Sequence, residues 1–172
     1  CPRDLQLFFK RLRRYAELQG IKHKIRYYAV GEYGDRTWRP HYHICLYGLD
    51  FRHEELIKKS WNRGFIHIGS LTTASAGYAA GYIEKKMTNP KDNRLFGRYP
   101  EFFRCSNRPG IGFNYVEKLV NCLKPFKNKP EVEDVPRTIR LPFFNIKTGD
   151  FKIKRMPLGR YIRSKVRLKL WG

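Results

Sequence analysis

Apolar side chains recur at Leu5, Phe8, Leu12, Tyr15 and Ala16 in "RDLQLFFKRLRRYAELQG", a helical spacing that predicts a first helix. Asp4 can cap it and Gly20 can end it. The period then changes. "KIRYYAVGEYG" is β-branched and aromatic and predicts a strand closing at Gly34, "GDRTWRP" is a connection, and "HYHICLYG" predicts a second strand antiparallel to the first. "DFRHEELIKKSW" reads as a short helix capped by Asp50, and "GFIHIGS" as a further strand. "TTASAGYAAGYIEKKM" reads as a helix opened by Thr72, Thr73 or Ser75 and stopped by Pro90. "RCSNRPGIG" is a glycine-proline loop and "FNYVEKLVNCLK" another short helix. "KPFKNKPEVEDVP" is linker-like, "RLPFFNIKTGDFKIKRMP" predicts a hairpin turning at Thr148, Gly149 and Asp150, and "RYIRSKVRLKLWG" is a basic end. Strands and helices alternating on an antiparallel sheet predict an α+β fold with flanking helices. The expected division is a first domain over 1–124 and a basic C-terminal extension with a hairpin over 125–172. Because a helix begins almost at once and the first residue is Cys1, a strand upstream of it is expected to be missing.

Composition narrows the partners. Of 172 residues, 41 % are hydrophobic and 15 % aromatic, enough for a real core. No apolar run approaches the roughly 18 residues of a membrane span, so no membrane partner is expected. The formal charge of +21 points to a polyanion, with nucleic acid ahead of an anionic membrane surface. From Arg137 onward eleven Lys and Arg face one acid, so the tail is expected to follow phosphates. The four cysteines include no C-x-x-C pair, which argues against a zinc knuckle and for reduced thiols in a cytoplasm.

Two constellations carry candidate chemistry. In "RPHYHICLYG", strand alternation puts His41 and His43 on one face and Tyr42, Ile44 and Leu46 on the other. Paired imidazoles are good metal ligands; the alternative is two ordinary hydrogen-bonded histidines. In "GYAAGYIEKK", Tyr78 and Tyr82 are one helical step apart, about 6 Å along the axis, with Lys85 continuing their face. That face lies opposite the stripe of Ala76, Ala79, Ala80, Ile83 and Met87. The tyrosines are therefore either surface residues of an amphipathic helix or nucleophiles. A phenol with a pKa near 10 is only about 0.1 % ionised at neutral pH. A divalent metal on the phosphate and a lysine ammonium beside the phenol would supply the missing activation. Gly77, Ala79, Ala80 and Gly81 leave room for a sugar-phosphate chain.

These residues resemble a family. "RPHYHICLYG" is similar to the His-hydrophobe-His motif of HUH endonucleases, and "YAAGYIEKK" to their two-tyrosine motif. "RDLQLFFKRLRR" before them and "SNRPGIG" after them resemble the replication initiators of gokushovirus-type Microviridae, small phages with circular single-stranded DNA. The likeness runs from about Pro2 to Lys124. It implies the HUH, Rep-like fold and rolling-circle replication: one origin strand is nicked, a 5′-phosphotyrosine forms, and a 3′-hydroxyl is left for the host polymerase. It implies His41 and His43 as metal ligands. The third ligand is assigned to Glu32 in "VGEYG", which can reach across an antiparallel pair; the alternative is a solvated or salt-bridged glutamate. Tyr82 with Lys85 forms the Y-x-x-K pattern of one-tyrosine relatives, which makes Tyr82 the expected first nucleophile and Tyr78 the second.

Two nitrogens and an oxygen favour Mn²⁺ by softness, and cellular abundance favours Mg²⁺. No P-loop is present, so a helicase would come from the host, whose cytoplasm is the expected location. Single-stranded origin DNA is the expected substrate. Arg36, Trp38, Arg39 and Lys86 are its expected contacts, the alternative being an ordinary basic loop at 36–39. His53 and His67 are read as structural. Two rival functions are a non-catalytic basic nucleic-acid-binding protein and an HUH transposase or relaxase, the second disfavoured by "SNRPGIG".

Overall fold

In the computed structural model, the structure describes residues 1–86, 89–129, 134–144 and 148–172, and the side chains of 82–86 and 143–144 lie outside that description. Two compact units divide at Asn107 and Arg108.

The first unit is a three-stranded antiparallel sheet with helices on it. Helix α1 spans Pro2–Leu18 and buries Leu5, Phe8, Phe9, Leu12 and Ala16. Asp4 sits in its first turn and not at the cap. The helix ends at Gly20, whose φ of +71° lets Ile21 N–H reach back to the Ala16 carbonyl at 2.9 Å. Strands β1 (Arg26–Tyr33) and β2 (Pro40–Tyr47) pair antiparallel with Glu32 opposite His41 and Val30 opposite His43. Helix α2 spans Glu54–Trp61, and the turn before it is capped as expected, Asp50 accepting from Arg52 N–H at 3.0 Å. Helix α3 covers Thr73–Lys86, and Thr72 and Ser75 close its start reciprocally, at 3.1 and 2.8 Å.

The expected strand "GFIHIGS" does not form: residues 64–70 carry no regular structure, and Phe65 is fully exposed. Among the described residues no strand lies beside them to take their hydrogen bonds. The third strand is instead β3, Phe102–Cys105, on the far edge of β1, so the sheet order is β2-β1-β3. Part of the expected "RCSNRPGIG" loop is thus strand. Gly31 is required by this pairing, because a Cβ there would lie 2.6 Å from the Phe102 ring.

The two sheet faces have different roles. Tyr27, Tyr42, Ile44, Leu46 and Phe102 pack with α1 and α2 into the main core, where Phe9 stacks on Tyr27 at 3.6 Å between centroids. The other face, which carries Glu32, His41 and His43, meets α3.

The second unit holds α4 (Phe113–Leu123), β4 (Thr138–Phe144), β5 (Phe151–Pro157) and α5 (Arg160–Trp171). The hairpin forms as expected. The basic end is a helix, because Ile162, Val166 and Leu170 recur every four residues and meet Val116, Leu119 and Leu123 of α4. Helix α4 accordingly clusters with the C-terminal elements and not with residues 1–107, so the division falls before the expected boundary at 124. The end of the expected linker is also core: Val135 is buried, and Asp134 pairs with Arg163 and Arg167 of α5. Among the described residues the first unit sets three α-helices and the second two beside their strands, so both are α+β, with antiparallel pairing only. No described helix is long and apolar enough to cross a membrane.

Candidate active site

The sheet face under α3 gathers three of the expected residues. Alternation along β1 brings Glu32 to this face, and pairing sets it opposite His41 with His43 on the diagonal. Glu32 is only 7 % exposed. Its Oε1 lies 2.9 Å from His43 Nε2. An ionised carboxylate there would only accept, with Nε2 as the donor. Tyr78 of α3 meets the His43 ring edge-on, with centroids 5.8 Å apart. Tyr78 remains 63 % exposed, while Ala79 beside it is buried. The wheel reading thus holds at these two positions; Ala80 is exposed.

His41 is exposed at the rim, its ring packed over Gly34, where a Cβ would fall 2.9 Å from Cε1. The side chains of Tyr82, Lys85 and Lys86 lie outside the described residues, as do those of Ile83 and Met87.

Four tyrosines of the sheet are poor nucleophiles. Tyr42 points to the opposite face, donates to Asp4 Oδ2 at 2.8 Å, and is pushed well above the ordinary phenol range by burial and by that carboxylate. Burial also raises Tyr28, Tyr33 and Tyr47. Tyr78, whose side chain is described, stands instead on the helix across from the histidines.

The β1–β2 connection closes through Gly34 N–H to the Arg39 carbonyl and Trp38 N–H to the Gly34 carbonyl, each at 3.0 Å. Trp38 stacks on Tyr33, and the Arg94 guanidinium lies 5.6 Å from the Trp38 ring centroid. Arg98 donates to the Trp38 carbonyl at 3.3 Å. Trp38 is therefore a packed anchor of the loop, and Arg36 and Arg39 are its exposed cations. Arg94 and Arg98 had no signal in the sequence: "NRLFGRYP" is a basic segment with no spacing that ties it to Trp38.

The donor set suits a divalent cation in chemistry and in part in geometry. Octahedral ligands at about 2.1 Å stand about 3.0 Å apart along an edge, so Nε2 of His43 and Oε1 of Glu32 fit adjacent vertices, with a cation taking the place of their direct contact. His41 does not join them: among the described residues no three His, Cys, Asp or Glu side chains gather in a metal-holding group.

Comparison with known proteins gives consistent matches. The family described as replication-associated protein ORF2/G2P matches residues 1–87. The chain is 37 % identical over 129 residues to the replication-associated protein ORF2 of Spiroplasma virus 4, covering 66 % of this chain and 39 % of that protein. It is 31 % identical over 134 residues to the replication-associated protein VP4 of Bdellovibrio phage phiMH2K, covering 67 % of this chain and 42 % of that one. A replication-associated protein ORF4 of Chlamydia phage 1 is 31 % identical over 102 residues, 48 % of this chain and 25 % of that protein. The chain thus spans about two fifths of the length of the first two relatives. No solved structure matches.

Proposed function

The chain belongs to the replication-associated protein ORF2/G2P family, and from that premise we propose that it initiates rolling-circle replication of a phage genome as an HUH-type nickase. The observation that carries the reading is the placement of the Tyr78 ring against the His43–Glu32 pair on one side of the sheet. In this reading a tyrosine oxygen attacks a backbone phosphorus of single-stranded origin DNA. The phosphorus–O3′ bond breaks, the phenol proton passes to solvent, which reaches Tyr78 freely, and the departing 3′-oxygen takes a proton from water. The product is a 5′-phosphotyrosine and a 3′-hydroxyl that a host polymerase can extend behind a host helicase.

His43 and Glu32 would hold Mn²⁺ or Mg²⁺, with His41, the other histidine of the expected ligand set, at the rim. When bound, such a cation withdraws charge from a phosphate oxygen and offsets the negative charge that builds on phosphorus. Arg36 and Arg39, exposed beside His41, would hold the flanking phosphates, and Lys86 a further one. Tyr82 with Lys85 would supply a second phenol one turn along α3, so that cleavage and rejoining alternate. The host cytoplasm is where such an enzyme would work.

The test is to incubate the protein with Mn²⁺ and single-stranded oligonucleotides tiling the genome that encodes it, then to resolve the products on a denaturing gel. A covalent protein–DNA band is expected on one oligonucleotide. The band should disappear with EDTA and in His43→Ala, while that variant still binds DNA. A band that persists in Tyr78→Phe/Tyr82→Phe would sink the tyrosine mechanism.

A further inference from the structure

The second unit carries a feature that strand cleavage does not use. Strands β4 and β5 form a two-stranded ribbon that pairs with no other strand among the described residues. Its seven registered pairs run about 24 Å at roughly 3.4 Å per residue. An isolated ribbon is marginal unless a face is buried. Among the described side chains the base is covered, where Ile139 packs on the α4–α5 core with Met156 opposite it, and Leu141 beyond it is half-buried. Farther out, Phe151 and Ile153 are 75 % and 73 % exposed, and Lys152, Lys154, Arg140 and Arg155 are exposed with them.

The distribution of these side chains is specific. Register and alternation put Arg140, Arg155, Ile153 and Phe151 on one face, and Lys152 and Lys154 on the other. Arg140 and Arg155 stand directly opposite each other, a like-charge pair that costs stability unless an anion lies between or beside them. Arg155 is oriented, its Nε donating to Thr138 Oγ1 at 2.9 Å. A hairpin built for a core would bury Phe151 and Ile153. One built only for solubility would not set them in water on the face that carries the arginine pair.

We propose that this ribbon inserts into the major groove of duplex B-form DNA. The groove is about 12 Å wide and admits a two-stranded ribbon, whereas the minor groove at about 6 Å does not. Arg140 and Arg155 meet the acceptor edges of bases, Ile153 and Phe151 meet thymine methyl groups, and Lys152 and Lys154 meet the flanking phosphates. A-form RNA is excluded by its deep, narrow major groove. The inference rests on the reading of the chain as a DNA replication protein and adds to it a duplex partner beside the single strand that is cut.

The experiment uses fluorescence anisotropy with the full chain near physiological salt. The probe is a mixed-sequence DNA duplex of about two helical turns, compared with the same duplex bearing glucosylated 5-hydroxymethylcytosines, which fill the major groove and leave the phosphates unchanged. The plain duplex should bind about tenfold more tightly than the glucosylated one, and netropsin in the minor groove should not compete. Arg140→Ala/Arg155→Ala/Ile153→Thr, with an unchanged circular dichroism spectrum, should weaken duplex binding by about the same factor and lose the discrimination, while adduct formation on single-stranded DNA persists. Equal binding of the two duplexes by the unmodified protein, or displacement by netropsin, would overturn the proposal without recourse to any variant. Failure of adduct formation with discrimination intact would overturn the nickase reading and leave this one standing.

Discussion

His43 and Tyr78 meet with ring centroids 5.8 Å apart and planes at 88°. Between them they join strand β2 to helix α3 on the face opposite the main core. The contact is of the edge-to-face kind that aromatic rings prefer. Its consequence is chemical, because it holds a phenol next to an imidazole that is already paired to the buried Glu32.

The first prediction concerns which phenol attacks. Tyr78→Phe keeps the ring contact with His43 and removes only the oxygen, so the fold and DNA binding should be unchanged. Adduct yield on the first cleavage should drop by about a hundredfold if Tyr78 starts the cycle, a loss of the size expected for removing a nucleophile that other groups only assist. Tyr82→Phe in parallel decides the order: a larger loss there would bear out Tyr82, with its Y-x-x-K pattern, as the first nucleophile. Time courses on a denaturing gel read both.

A second prediction uses a residue outside the expected set. In Gly34→Ala the new methyl would fall 2.9 Å from Cε1 and 3.3 Å from Nδ1 of His41. The ring is the movable partner, since it is exposed, so the thermal midpoint should stay near that of the parent. Adduct formation should fall by about tenfold or more, because small displacements of a positioned group are costly to rate. Unchanged adduct formation would show that the position of His41 does not matter to the reaction.

Much of this geometry was readable beforehand, and the reasons are local. Strand alternation fixes the common face of His41 and His43 without any tertiary information, and a carboxylate across an antiparallel pair has few places to go. The face of α3 that bears Tyr78 follows from helical spacing. What was not readable depended on partners distant in the chain. "FIHIG" has strand composition, but a strand needs a neighbour, and the described edge residues give it none. "FFRC" forms β3 only because β1 offers it an edge and Gly31 makes room for Phe102. The basic C-terminal segment hid its helix because its charges mask an apolar face that is complete only against α4. The arginines around Trp38 come from a segment sixty residues away from it in the case of Arg98.

A third prediction tests the corner between β2 and the start of β1. Gly48 has φ +92°, and a Cβ there would lie 2.8 Å from the Lys24 carbonyl oxygen. Both the conformation and the backbone contact oppose a side chain, and backbone cannot swing aside. Gly48→Ala should therefore cost about 1–3 kcal/mol in urea unfolding. Gly64→Ala is the comparison: its φ of +100° is similarly unfavourable but nothing lies within 4 Å, so it should cost less. Equal losses would assign the whole effect at Gly48 to conformation.

The last prediction concerns how the second unit is held at low pH. Asp134 accepts from Arg167 Nε at 2.9 Å and pairs with Arg163 Nη2 at the same distance. The Arg167 guanidinium first, and the Val135 N–H after it, hold its carboxyl below the usual carboxylate range. A group whose folded pKa is depressed stabilises the fold fully above its unfolded value and loses that contribution as pH falls through the folded one. Asp134→Asn should then lower the melting midpoint at neutral pH by a few degrees. The gap should narrow only once the pH drops below about 4 and close below the folded pKa, where the parent carboxyl is protonated too. Melting followed by circular dichroism across that range measures the gap directly. A difference that stays constant from neutral to strongly acidic pH would mean that Asp134 acts through its shape and not its charge.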